Sequence, residues 1–235
     1  MQLRYGYRLD PCPRHRAAFG KAFGCARVVF NDALHAREAA HQAGEPYITD
    51  GDLSARLTAI KKAPERVWLN EVSSVVLQNA LADLNTAYRN FFASRNGTRK
   101  GPKMAKPRFR SRKDHRQAIR FTANARFRVL PNGKLRLPKV GDVPVRWSRP
   151  LPSEPSSVTV IKDSAGRYFA SFVIKIEPRA LPEAETVIGI DLGLGHFAVL
   201  SDGRKICAPQ FLRRAENNLQ RRQRELSRKR LGQPR

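Results

Sequence analysis

Residues 2–9, QLRYGYRL, alternate strictly, with Leu3, Tyr5, Tyr7 and Leu9 on one face. Period two is the pattern of a half-buried strand. No further strand pattern occurs before residue 118. A strand without neighbours is unstable in water, so this one must pair with a segment far along the chain. Everything between the two becomes an insertion. The simplest arrangement that meets this requirement is an α+β architecture with antiparallel pairing.

The insertion reads as helical. From about Arg14 to Ala43 apolar residues recur at helical spacing, through Ala18, Ala22, Cys25, Val29 and Ala33, and Gly44 and Pro46 end the segment. Thr49 or Asp50 is placed to cap a short helix carrying Leu53, Leu57 and Ile60. One longer helix is expected over 65–94, with Trp68, Val72, Val76, Leu77, Ala80, Leu84, Tyr88 and Phe91 as its buried stripe. Residues 95–120 then hold eleven Lys and Arg against one acid, Asp114. Gly and Pro break this stretch into a loop. Lys103, Lys106, Arg108, Arg110, Arg112, Lys113 and Arg116 are candidates for phosphate contacts along it. Phe109 either packs down or stacks on a base.

Strand patterns return over 118–177, with hairpin turns expected at Asn132-Gly133 and Ala165-Gly166. Adding strand 2–9 to this set gives a small antiparallel barrel interrupted by the helical insert. Residues 177–186, EPRALPEAET, read as a linker. After it, VIGIDLGLGHF starts with a short β-branched run expected to be a buried central strand ending at Asp191. An acid at that position, followed by Gly193, Gly195 and a meander, suits two chemistries. In ribonuclease-H-like nucleases it holds Mg²⁺ for phosphodiester hydrolysis. In actin-like ATPases a similar turn wraps ATP phosphates and Mg²⁺. His196 has no partner at ligand spacing, and Asp202 belongs to an Asp-Gly turn.

The last segment places Leu212, Ala215, Leu219 and Leu226 on one helical face, expected to lie on the protein. Arg213, Arg214, Arg221, Arg222, Arg224 and Arg228 occupy the other, turned to nucleic acid. The net charge of +25 points the same way, since such self-repulsion is costly without a polyanion. No apolar run is long enough to span a bilayer, so no membrane partner is expected. Cys12, Cys25 and Cys207 form no CxxC pair, so neither disulfides nor zinc are expected, and the compartment is read as cytoplasmic.

Several stretches together resemble the TnpB (OrfB) proteins of bacterial insertion sequences, which are similar to compact type V CRISPR nucleases. They are VVLQNALADLNTAYRNFF (75–92), KPRFRSRKDHRQAIRF (106–121), VRWSRPLP (145–152), GRYFASFVIKIE (166–177) and IGIDLGLGHFAVLSDGRKI with the basic helix after it. The resemblance implies a wedge β-barrel from 1–10 and 118–180, a helical recognition lobe at 11–117 and part of a ribonuclease-H-like (RuvC) domain at 187–235. It implies RNA-guided DNA cleavage with a transposon-derived guide RNA, target DNA and Mg²⁺. Asp191 would be the catalytic and metal-binding first acid of three. The N-terminal helices are read as a duplex-facing lobe, with no warrant for insertion into a major groove.

The family pattern continues with a Glu, an Asp and paired CxxC motifs for which this sequence has no counterpart. The chain is therefore expected to be C-terminally truncated, to bind nucleic acid and not to cleave it. The alternative is a non-catalytic RNA- or DNA-binding remnant or regulator. An actin-like ATPase fragment would need a second phosphate loop and an adenosine pocket, and neither is visible.

Overall fold

The protein is described here by a computed structural model, covering residues 1–114, 116–178 and 187–230. It divides into two compact units, Met1–Pro178 and Arg179–Arg235. From residue 179 on, the expected linker lies outside the described residues.

The first unit starts with strand β1 (Gln2–Leu9), whose Tyr7 and Leu9 are buried while Arg4 and Arg8 face out. Helix α1 (Pro13–Gln42) follows, with Pro13 at its first turn, where a missing N–H costs nothing. Its buried face includes Ala22, Cys25, Val29 and Ala33, as the spacing requires. Helix α2 (Asp50–Ile60) begins at a capping box. Thr49 Oγ1 accepts from the Asp52 N–H, and the Asp52 carboxylate accepts from the Thr49 N–H. The long helix expected over 65–94 is two elements. A 3₁₀ helix spans Pro64–Glu71, and helix α3 runs Ser74–Arg95 after an extended break at Val72 and Ser73. Neither residue favours a helix interior: Val is stiff at χ1 and Ser competes for backbone hydrogen bonds. Asn70 reinforces the turn by donating to the Lys61 carbonyl at 2.9 Å.

Seven short strands complete the unit: β2 (Gln117–Thr122), β3 (Arg128–Val129), β4 (Leu135–Leu137), β5 (Gly141–Val143), β6 (Val145–Arg146), β7 (Ser157–Lys162) and β8 (Tyr168–Lys175). The larger sheet is antiparallel, in the order β2-β7-β8-β1-β6, and β3-β4-β5 form a second. Strand β1 pairs over its whole length with β8, Gln2 to Lys175 through Leu9 to Tyr168. The stranded first segment thus finds its partner some 160 residues later, as its isolation demanded. Gly133 and Gly166 adopt positive φ in the two hairpin turns, where a side chain would be strained.

The expected closed barrel does not form. The edges of the five-stranded sheet are β2 and β6, and they do not pair with each other. Strand β6 meets β1 over two residues only. At the other edge α3 takes the place of a strand. Asn79 Nδ2 donates to the Arg120 carbonyl at 3.1 Å, and Arg120 Nε donates back to Asn79 Oδ1 at 3.2 Å. A helix packed over an edge is one of the ways an open sheet protects it. The core lies between this sheet and the helices: Phe19 of α1 stacks on Tyr168 of β8 at 5.5 Å, and Phe121 and Phe172 are fully buried.

The second unit is a meander of β9 (Ile190–Asp191), β10 (His196–Leu200) and β11 (Lys205–Cys207), followed by helix α4 (Phe211–Arg230). No described helix is long and apolar enough to cross a membrane.

Candidate nucleic-acid interface and metal position

The basic segment between α3 and β2 has no regular structure but is tied down at defined points. Asn31 on α1 holds the Arg110 backbone, with Nδ2 donating to the carbonyl at 3.0 Å and Oδ1 accepting from the N–H at 2.8 Å. The Arg110 guanidinium lies over the Phe30 ring at 3.9 Å and pairs with Asp83 of α3 at 3.2 Å. Lys106 pairs with Glu38 at 3.1 Å, and the Met104 N–H donates to Ser94 Oγ. Lys103, Arg108, Arg112, Lys113 and Arg116 are exposed, and none pairs with an acid among the described residues. Phe109 does not pack down: it is 55% exposed. Beside the clamp, Arg27, Arg110, Arg116 and Ser111 share a cleft of about 270 Å³ with Asp83 and Asp114. The anchors Asn31, Glu38 and Asp83 carry no local sequence signal. Each is an ordinary polar residue on a helix until the fold brings the loop against it.

Asp191 ends β9 and lies opposite Val199 of β10. Ser201 holds the strand, accepting from the Gly189 N–H at 3.0 Å through Oγ and donating its own N–H to the Gly189 carbonyl. The expectation of a buried central strand is overturned. In the order β11-β10-β9, β9 is an edge, and Ile190 is 63% exposed. Among the described residues it pairs with β10 alone, and its apolar residues are exposed. Asp202 is engaged by its own turn, accepting from Arg204 Nε at 2.6 Å and from the Arg204 N–H at 3.0 Å. His196 pairs in register with Cys207. Among the described residues no three His, Cys, Asp or Glu side chains form a metal-binding group. With Asp191 as the one acid offered by the β9 turn, these residues do not fit a two-metal site.

Helix α4 also departs from expectation. Leu212, Leu219 and Leu226 are each more than half exposed, so the leucine face is not covered by the described residues. Of its arginines, Arg222 pairs with Glu225 at 3.1 Å and Arg221 reaches Asn218. Arg213, Arg214 and Arg228 are exposed.

Residues 171–235 match a family described as "Probable transposase" in the OrfB group of IS605 elements. Residues 1–46 match the corresponding "Helix-turn-helix domain". In this structure the latter residues hold one strand and one unbroken 30-residue helix rather than two helices across a turn. A "Putative RNA-guided DNA endonuclease" of Streptomyces pristinaespiralis is 39% identical over 97% of this chain and 55% of its own length. The "Putative RNA-guided DNA endonuclease InsQ" of Escherichia coli K12 is 31% identical over 96% of this chain and 54% of its own length. The chain belongs to the TnpB (OrfB) family, and it spans about half the length of the curated relatives it matches.

Proposed function

We propose that this chain is the nucleic-acid-binding part of an RNA-guided DNA endonuclease. In this reading the wedge (1–10 and 118–180) and the helical lobe (11–117) hold guide RNA and target DNA, and 187–235 is part of a RuvC-type domain. The observation that carries it is the clamped basic segment. Two hydrogen bonds from Asn31 fix its course, while Lys103, Arg108, Arg112, Lys113 and Arg116 keep exposed charges and Phe109 an exposed ring. Ordering the backbone beforehand reduces the entropy lost on binding. Exposed cations neutralise phosphates, and an exposed ring stacks on a base. Arg213, Arg214, Arg221, Arg222 and Arg228 add a second cationic strip on α4. The free cysteines fit a reducing cytoplasm.

Asp191 is assigned as the first catalytic acid, a Mg²⁺ ligand in the complete family form. The 235-residue chain binds nucleic acid without cleaving it, because one carboxylate supplies too few ligands for two metals. Two measurements test this. Protein purified at low salt should carry RNA, which high salt releases. The same protein with Mg²⁺ should leave supercoiled plasmid intact. Absence of RNA affinity sinks the binding reading, and nicking lost on Asp191→Ala sinks the non-cleaving one.

A further inference from the structure

Helix α4 repeats with a period of seven. Leu212, Leu219 and Leu226 recur at one heptad position, and Arg214, Arg221 and Arg228 recur two residues further on. Every residue from Phe211 to Lys229 is exposed, the three leucines by 73, 59 and 53%. A 20-residue helix in water is held largely by whatever covers its apolar face, and among the described residues nothing covers this one. The shape of the face narrows the choice of partner. A helix lying on a globular core shows a broad apolar stripe, three or four residues in every two turns. Here the positions between the leucines hold Glu216 and Gln223, and only Ala215 widens the stripe. So narrow a row is the seam of a two-stranded coiled coil.

With the leucines at d, the a positions are Glu216 and Gln223, polar residues that set register at a cost in stability. In an antiparallel pair each d residue faces an a residue, which sets Leu219 against Gln223 and Leu226 against Glu216. A parallel pair puts leucine on leucine in every layer. Its flanking contacts run from g of one helix to the next e of the other, Ala215 to Gln220 and Arg222 to Ser227, and neither opposes like charges. Glu216 does face its own copy, and Arg213 one turn earlier offsets that charge. We infer that α4 pairs in parallel with α4 of a second copy of this chain through Leu212, Leu219 and Leu226. Arg214, Arg221 and Arg228 then line the outer side of the pair, so the cationic strip stays open to a polyanion. The pairing goes beyond the nucleic-acid-binding reading and does not depend on it.

Sedimentation equilibrium of the whole chain, freed of nucleic acid by nuclease and checked by its absorbance ratio, tests the pairing. The interface is short, so the average mass should climb from monomer towards dimer as concentration rises. Residues 211–229 carry seven Lys and Arg against two Glu, and salt screens their repulsion, so KCl should tighten the dimer. Nucleic-acid binding has the opposite salt dependence, which keeps the two readings apart. Leu219→Gln with Leu226→Gln should stay monomeric, whereas Arg221→Gln with Arg228→Gln should still pair. Leu219→Cys, in a Cys12→Ser, Cys207→Ser background, should form a disulfide-linked dimer with oxidised glutathione, and Arg221→Cys in the same background should not. A wild type that is monomeric at every concentration and salt overturns the proposal and leaves the leucine face to another segment or partner. A dimer that survives the leucine variant, or that KCl dissociates, overturns it as well. A dimer without the cross-link at 219 overturns the parallel arrangement.

Discussion

Asn31 grips the peptide of Arg110 from both sides, donating to its carbonyl at 3.0 Å and accepting from its N–H at 2.8 Å. Two residues 79 positions apart thereby behave like neighbours in a ladder. Asn31→Leu keeps the size and removes both bonds. It should cost about 1–2 kcal/mol of stability, since it strands two partly buried backbone groups. Trypsin should cut the 99–116 segment faster in the variant, and an unchanged digestion pattern would show that the segment is held by other contacts.

The arginines of that segment should divide into two kinds. Arg108→Glu with Arg112→Glu should leave the melting temperature near wild type and lower the salt slope of nucleic-acid binding by roughly 0.7–0.9 per lost phosphate contact. Arg110→Glu should do the reverse in emphasis. It removes the Phe30 stack and sets a carboxylate beside Asp83, a loss of about 1–2 kcal/mol. Equal melting temperatures for the two variants would contradict this division.

Arg37 is the one buried charge with a defined cage among the described residues. Its side chain is 1% exposed, pairs with Asp50 at 3.0 Å, donates to the Ile48 carbonyl and lies against the rings of Tyr47 and Tyr88. Asp50→Ala leaves that guanidinium without a counter-charge. The remaining carbonyl and ring contacts moderate the effect, so a loss of about 1–3 kcal/mol is expected in urea unfolding. Arg37→Met removes the charge together with the need for its partner, and should cost less. A larger loss for Arg37→Met than for Asp50→Ala would mean that packing, not charge, sets the value of the site.

His15 gives the chain a pH dependence of known sign. Burial, then the nearby Arg14 charge, hold its imidazole below the ordinary 6.5. The unfolded chain therefore takes up the proton first as pH falls. Stability from this residue is complete above 6.5 and declines below it, until the folded pKa is passed. Melting temperatures measured from pH 7 to 5 should fall more steeply for wild type than for His15→Gln. Parallel curves would assign the acid loss to other groups.

Much of this protein was settled by local sequence. Alternation at 2–9 made β1, the 3.6-residue period made α1, and Thr49 with Asp52 closed a capping box, because each depends on residues within a turn or two. The charge of the 95–120 loop was equally plain. The tertiary structure alone decided which of those charges point outward. Arg108 and Arg110 are indistinguishable in sequence, yet one is exposed and the other is pinned by Asn31, Asp83 and Phe30 from two helices. It also decided that the helix expected over 65–94 breaks at Val72 and Ser73 and that Asn79 caps the β2 edge, while the sheet stays open and no barrel closes. The apolar run at 187–191 reads as a buried strand, but burial depends on what packs against it, and among the described residues β9 has a neighbour on one side only. Periodicity records which face a residue shares; what meets that face is set by distant elements competing for the same edge, and only the folded chain resolves that competition.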